Sequence, residues 1–419
     1  MTNASHSLTT YQTPHRPLKF RLLNWAGTQL KLNHLSPFKL TEESLLKEAE
    51  KITGLSDWGN DNFRQPLQIF LESLNKEANL NFVGQSFLKQ DCLRLLANRL
   101  RLENDFKRYP DILEVPIQKP LFVVGLFRSG TTFIHNLLSQ DPVSRWLHVA
   151  EGVIPSPPPN KKTWEVDSRF KLAEKSIQFQ NSLAPNFSTA HHIDVNKPAE
   201  CSRLFEFDFI GHLFDFRANV KTYSAWLQEQ NLLEAYQYYK QRLQYLAWHW
   251  SNEHWVLKAP AHLLTLDALL ATFPDACIVH IHRDPQKVLP SVCSLSTMGR
   301  SRFSDHIDMT MIGEHWLNYL VKYVERAMTV RENADASRFY DVKYVDFIKD
   351  PMKTIRQIYD YFGYQFSEQM ENNINQWIEE NPQHKRGTHR YTLEQFGLNS
   401  KEIDRRFANY YQRFDLAHE

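Results

Sequence analysis

The chain has 419 residues, of which 42% are hydrophobic and 23% charged. That balance excludes wholesale disorder, a collagen-like repeat and a disulfide scaffold. With 49 basic and 48 acidic residues the net charge is +1, so composition gives no case for nucleic acid or an anionic membrane as partner. At ~150 residues per domain the length allows two or three domains, or one large α/β domain with a helical extension. Cys92, Cys201, Cys277 and Cys293 form no CxxC pair, so their spacing gives no zinc site and their scarcity fits a reducing compartment. The first twenty residues hold no continuous apolar core, and no run approaches ~18 apolar residues. Neither a signal peptide nor a membrane span is expected, and the default reading is a cytoplasmic enzyme.

Residues 1–40 are polar, with prolines at 14, 17 and 37, and read as an irregular arm. A helical extension follows over 41–115. Thr41 caps its first helix, Leu45, Leu46 and Ala49 face inward, and Gly54 stops it. Residues 64–106 read as two more helices. In the second, from Phe87 to Phe106, leucines alternate with Arg94, Arg99 and Arg101, an arginine face read as solvated, with a binding patch as the alternative.

The character changes at Pro116, where an α/β domain over 116–419 is expected. Residues 120–125 (PLFVVG) read as a buried parallel strand. Further strands are expected over 254–258, 276–282 and 338–345. A helix from Ala261 to Thr272 makes the middle pair a βαβ unit, hence a parallel sheet of about five strands flanked by helices. Residues 155–163 form a proline-rich loop. A helical insertion at 164–252 carries Phe205, Phe207, Phe209, Phe214, Phe216, Trp226, Tyr236 and Trp248, read as shaping an apolar pocket, with a plain aromatic core as the alternative.

Residues 125–132 read G-L-F-R-S-G-T-T. Glycines with Walker A spacing between a strand and a helix present backbone N–H groups to an anion. The Walker lysine, however, is replaced by Thr131, and the loop's one cation is Arg128. The loop therefore suits one phosphate or phosphosulfate group better than an ATP–magnesium complex.

This segment resembles the 5′-phosphosulfate loop of sulfotransferases that use PAPS (3′-phosphoadenosine 5′-phosphosulfate). The resemblance covers most of residues 83–417 and is closest to the large bacterial branch with a helical N-terminal extension. It implies a P-loop-containing fold in which Arg128, Ser129, Gly130, Thr131 and Thr132 hold the 5′-phosphosulfate. Arg283, with Ser291 eight residues on, holds the 3′-phosphate. Phe133 and Tyr344 lie by the adenine, and Lys385, Arg386 and Gly387 close over the 3′-phosphate. The implied products are PAP (3′,5′-bisphosphoadenosine) and a sulfated hydroxyl or amine, with no metal.

The same resemblance makes Lys258 the catalytic lysine, supported by Arg128 as the second cation. The base is not settled by the sequence. Cytosolic relatives carry a histidine two residues after the lysine, where this chain has Pro260. Glu151, in AEGVIP, matches the glutamate of tyrosylprotein sulfotransferases and ranks first. His262 is second, the pair His191 and His192 with Asp194 third, and His389 is a further candidate. The expected acceptor is an apolar or aromatic small molecule, lipid-like or polyketide-like, and a homodimer is compatible with the sequence. An ATP-dependent phosphotransferase is the alternative, and a non-enzymatic nucleotide-binding protein a third reading.

Overall fold

Four of the five strands are short runs of residues whose side chains alternate between two apolar clusters, as a sheet covered on both faces requires. The computed structural model describes residues 16–32, 40–183, 194–250, 254–382 and 391–419. Its strands are β1 (Leu121–Gly125), β2 (Ser144–Arg145), β3 (His254–Lys258), β4 (Cys277–His282) and β5 (Phe339–Lys343). They form one parallel sheet in the order β2-β3-β1-β4-β5. Leu121 lies opposite Val256 on one side and Cys277 on the other. The two-residue β2 is too short to leave a pattern in the sequence.

Phe122, Val124, Leu257 and Ile278 face one cluster; Leu121, Val123, Val256 and Val279 face the other. The first cluster also takes Leu45, Leu67, Phe70 and Leu96 from the helices Glu42–Thr53, Arg64–Lys76 and Phe82–Arg108. The helical extension thus shares its core with the sheet. Thr41 caps the first of these helices and Gly54 ends it at φ 69°, as the sequence pattern requires. The second cluster is completed by helices Thr131–Leu138, Pro351–Phe362 and Glu368–Glu380.

Three expectations are corrected. The arm contains a helix, Leu18–Leu32. The arginine face is not uniformly solvated: Arg99 is buried and binds Asp208, while Arg94 and Asn98 hold the Val153 carbonyl at 3.0 and 2.9 Å. The insertion, expected as a helical stretch broken near Pro185 and Pro198, is more broken than that. It contains helices Ser168–Leu183, Lys221–Gln228 and Leu233–Ala247 and the 3₁₀ segments Cys201–Asp208 and His212–Phe216. Most of its aromatics, including Phe207, Phe209, Phe214 and Tyr236, are core side chains.

Candidate active site

All four loops that follow β1, β3, β4 and β5 leave the same carboxyl edge of the sheet. After β1 the chain crosses to one side of it, and after β3 to the other, so the loop Leu126–Gly130 stands at the switch point where parallel sheets bind ligands. Two residues in this loop hold left-handed backbone: Arg128 at φ 68° and Gly130 at φ 99°. At Gly130 a Cβ would lie 2.7 Å from the Tyr344 ring, so glycine is required on space as well as on φ. Arg128 has no such exemption, and its conformation costs about 1–3 kcal/mol. That strain turns its side chain to Ser291, with Nε donating to Oγ at 3.1 Å.

Arg283 completes this half of the site. Its Nη1 donates to the Arg128 carbonyl at 3.0 Å, its guanidinium lies 4.0 Å from the Tyr344 ring centroid, and its Nε reaches Glu419 Oε2 at 3.2 Å. Arg128, Gly130, Arg283, Ser291 and Tyr344 thus converge from three strand ends. Thr132 is exposed at the helix start and Thr131 buried. The Ser129 hydroxyl is buried and donates to the Leu126 carbonyl at 2.7 Å, so it braces the loop instead of facing a ligand. Phe133 is half-buried against Phe347 and Trp377. Lys385, Arg386, Gly387, His191, His192 and His389 lie outside the described residues.

Lys258, the last residue of β3, is buried, and its Nζ donates to Glu200 Oε1 at 2.6 Å. Glu200 is the residue before the 3₁₀ segment Cys201–Asp208; its side chain is 23% exposed, although its Oε2 is itself buried. Sequence reasoning missed it. Fifty-eight positions separate it from Lys258, and nothing in KPAECSRL marks a partner.

The two leading base candidates are both buried and engaged. Glu151 is fully buried and fills both carboxylate oxygens: one on the Arg145 guanidinium, the other on the His148 backbone N–H at 2.9 Å in a capping box. Burial raises its pKa, but Arg145 and His148 outweigh that and hold it at about 2. A carboxylate so committed is a poor proton acceptor. His262 is buried with both ring nitrogens engaged, Nδ1 2.6 Å from the Tyr236 hydroxyl and Nε2 3.2 Å from Cys201 Sγ. Burial pushes its pKa down to about 3. It is a core histidine.

Among the described residues, one group has donors spaced for a cation: His280, His282 and Asp341. Arg331 already stands there, 2.6 Å from Asp341 Oδ1 and 3.0 Å from His280 Nδ1, so the group is an ion-pair cluster. No helix of the described residues is long and apolar enough to cross a membrane.

Known proteins agree with this geometry. The sulfotransferase family profile matches residues 120–368. The omega-hydroxy-beta-dihydromenaquinone-9 sulfotransferase Stf3 of Mycobacterium bovis is 24% identical over 288 residues, 66% of this chain and 71% of that protein. The solved structure of sulfotransferase STF1 from Mycobacterium tuberculosis is 31% identical with a TM-score of 0.79, covering 88% of this chain and 99% of that one. Sulfotransferase STF9 from Mycobacterium avium is 29% identical with a TM-score of 0.84, covering 91% and 99%. With the phosphate-type loop, the strand-end cations and the parallel sheet in place, the chain belongs to the sulfotransferase family and is an enzyme of sulfuryl transfer.

Proposed function

We propose that the enzyme transfers the sulfuryl group of PAPS to a hydroxyl of a lipid-like small molecule, with Lys258 and Glu200 as the reacting pair. The observation that carries this reading is the junction of two features at one sheet edge. Arg128, Ser291, Arg283 and Tyr344 touch one another, and the buried Lys258 ends β3 on Glu200. The first group fits the two phosphates and the base of the nucleotide. Guanidiniums bind phosphate bidentately, and the left-handed loop turns backbone N–H groups toward an anion. Thr131 at the Walker lysine position disfavours ATP.

In the transfer, the acceptor oxygen bonds to sulfur as the bridging sulfur–oxygen bond breaks, and PAP leaves. The Lys258 ammonium faces the charge that develops on the bridging oxygen. As it does so it gives up its hold on Glu200, whose basicity then rises, and Glu200 takes the proton of the acceptor hydroxyl. Arg128 binds and orients the phosphosulfate. Glu151 keeps the acceptor side in place without touching the reaction. The lipid-like acceptor is drawn from the menaquinone derivative named for Stf3.

Calorimetry with PAP and ADP, each with magnesium and with EDTA, tests the donor. The expected result is PAP binding in EDTA, weakened about 10–100-fold by Arg283→Ala. Preference for ADP with magnesium would overturn it. For the base, Glu200→Gln is expected to lower kcat about 10²–10⁴-fold while PAP affinity holds. An unchanged kcat removes Glu200 from the chemistry.

A further inference from the structure

We infer that Arg203 reads an oxyanion on the acceptor, a carboxylate or phosphate carried about 6 Å from the hydroxyl that is sulfated. The inference rests on the placement of the reacting hydroxyl at Glu200 and Lys258.

Side chains three apart on a 3₁₀ helix eclipse, with about 6 Å of rise between them. Glu200, Arg203 and Glu206 therefore form one stripe along Cys201–Asp208. The register is fixed by the Arg203 N–H bonding the Glu200 carbonyl at 3.2 Å. At one end of the stripe Glu200 meets Lys258. At the other Glu206 is held by Arg217 at 2.8 and 3.0 Å. Arg203 lies between them, half-buried.

The charges around Arg203 do not balance. Asp91 is occupied by Arg94 at 2.7 Å and Arg217 at 2.8 Å, and Glu206 by Arg217. Two carboxylates thus serve Arg94 and Arg217, and the Arg203 guanidinium has neither an ion pair nor a hydrogen-bond partner among the described residues. The chain outside those residues contains a single acid, Glu253. Burial chiefly lowers the pKa of Arg203; Glu206 and Glu200 oppose the shift, and the like charges of Arg217 and Arg94 add to it. Arg302, whose pKa is lowered to about 9 chiefly by burial and further by the like charges of Arg217 and Arg203, adds to the positive field.

A half-buried guanidinium without an anion is costly, and the cost is recovered when one arrives. The fork geometry of arginine suits a carboxylate or phosphate bidentately. Room for the stem is kept by Gly152, where a Cβ would stand 3.1 Å from Arg203 Cδ. The same helical turn that carries Glu151 thus leaves the arginine its place.

The test is calorimetry on the full chain saturated with PAP, using 4-hydroxybenzoate, 4-hydroxyphenyl phosphate and the neutral methyl 4-hydroxybenzoate as probes. At least one anionic probe is expected to bind tenfold or more tighter than the ester. Arg203→Gln abolishes that preference and Arg203→Lys retains part of it, with PAP affinity unchanged in both. Comparing the acid with the phosphate tells which oxyanion is preferred. Equal binding of acid, phosphate and ester would overturn the inference, as would a preference that survives Arg203→Gln. PAP binding is measured separately. Should it fail, the donor reading falls. The anion preference is then measured on the PAP-free enzyme, where its loss in Arg203→Gln supports the inference and its survival overturns it.

Discussion

The proposed donor half and the proposed acceptor half of the site are built by different means. On the donor side, functional residues sit at or just after the ends of β1, β4 and β5, and the sheet's register alone brings them together. Their contacts are few and partly exposed. On the acceptor side, residues 144–242 contain a two-residue strand, short helices and 3₁₀ segments. Beside an aromatic core, what holds them is a set of buried and part-buried ion pairs: Arg145 with Glu151, Arg217 with Asp91 and Glu206, and Arg99 and Arg242 with Asp208. A sheet edge tolerates the loss of a side chain, because its backbone ladder stays. A region tied by charges does not, because removing one partner leaves the other buried and uncompensated.

Asp208 gives the sharpest way to break that contrast. Its Oδ1 takes Arg99 and, at 2.6 Å, Arg242 Nη2; its Oδ2 takes Arg242 Nη1 at 2.5 Å. Arg99 is also anchored on the Trp58 carbonyl at 3.0 Å, so the network ties the helical extension to the insertion. Asp208→Ala strands two guanidiniums and is expected to destabilise the protein by about 3–5 kcal/mol. Arg283→Ala, on the donor side, should leave the unfolding midpoint nearly where it was. Urea unfolding of the two variants checks both. Equal midpoints would erase the contrast.

Glu151 sharpens it through pH. Its pKa is held at about 2 in the fold against 4.5 as an ordinary glutamate. A depressed carboxylate adds stability that is fully present above pH ~4.5 and disappears as the pH falls toward about 2, and here that amounts to something on the order of 3 kcal/mol. His148, beside it, has a pKa lowered chiefly by burial, so it too loses stability as the pH drops below ~6.5. Glu151→Gln should therefore lower stability at pH 7 and flatten the acid limb below pH 4.5, while the pH profile of kcat keeps its shape. A profile that loses its acidic limb in this variant would return Glu151 to the chemistry.

The same division explains what the sequence made legible. Arg128, Arg283 and Tyr344 were readable because each follows an apolar strand, where spacing along the chain translates directly into position at the sheet edge. The strands and the flanking helices were readable for the same reason: periodicity reports burial. Glu200 was hidden because its partner lies on another element, and no local pattern records a contact between residues 200 and 258. Glu151 is harder to read: its short motif resembles a catalytic glutamate's surroundings, while its surroundings in the fold are set by Arg145 six residues upstream, whose guanidinium lies 4.3 and 5.0 Å from the Trp250 and Trp255 rings. Arg99 is hard to read in the opposite direction. An arginine on an amphipathic helix reads as solvated until a second charged segment is seen to pack on it.

The smallest effect is expected at the donor edge, where Glu419 competes for Arg283. Its Oε2 lies 3.2 Å from Arg283 Nε, and its backbone N–H donates to Asp284 at 3.0 Å. A phosphate arriving at Arg283 has to displace that carboxylate. The pair is partly exposed, with side chains 24% and 15% accessible, and such pairs are worth about 0.2–1 kcal/mol. Glu419→Gln removes the charge and keeps the shape, so PAP should bind about 1.5–5-fold tighter, with a smaller gain at high salt because screening already weakens the competitor. Calorimetry at two ionic strengths reads both numbers. Weaker PAP binding in this variant would mean that Glu419 positions Arg283 for the nucleotide, and the donor half would then also depend on a charged tie.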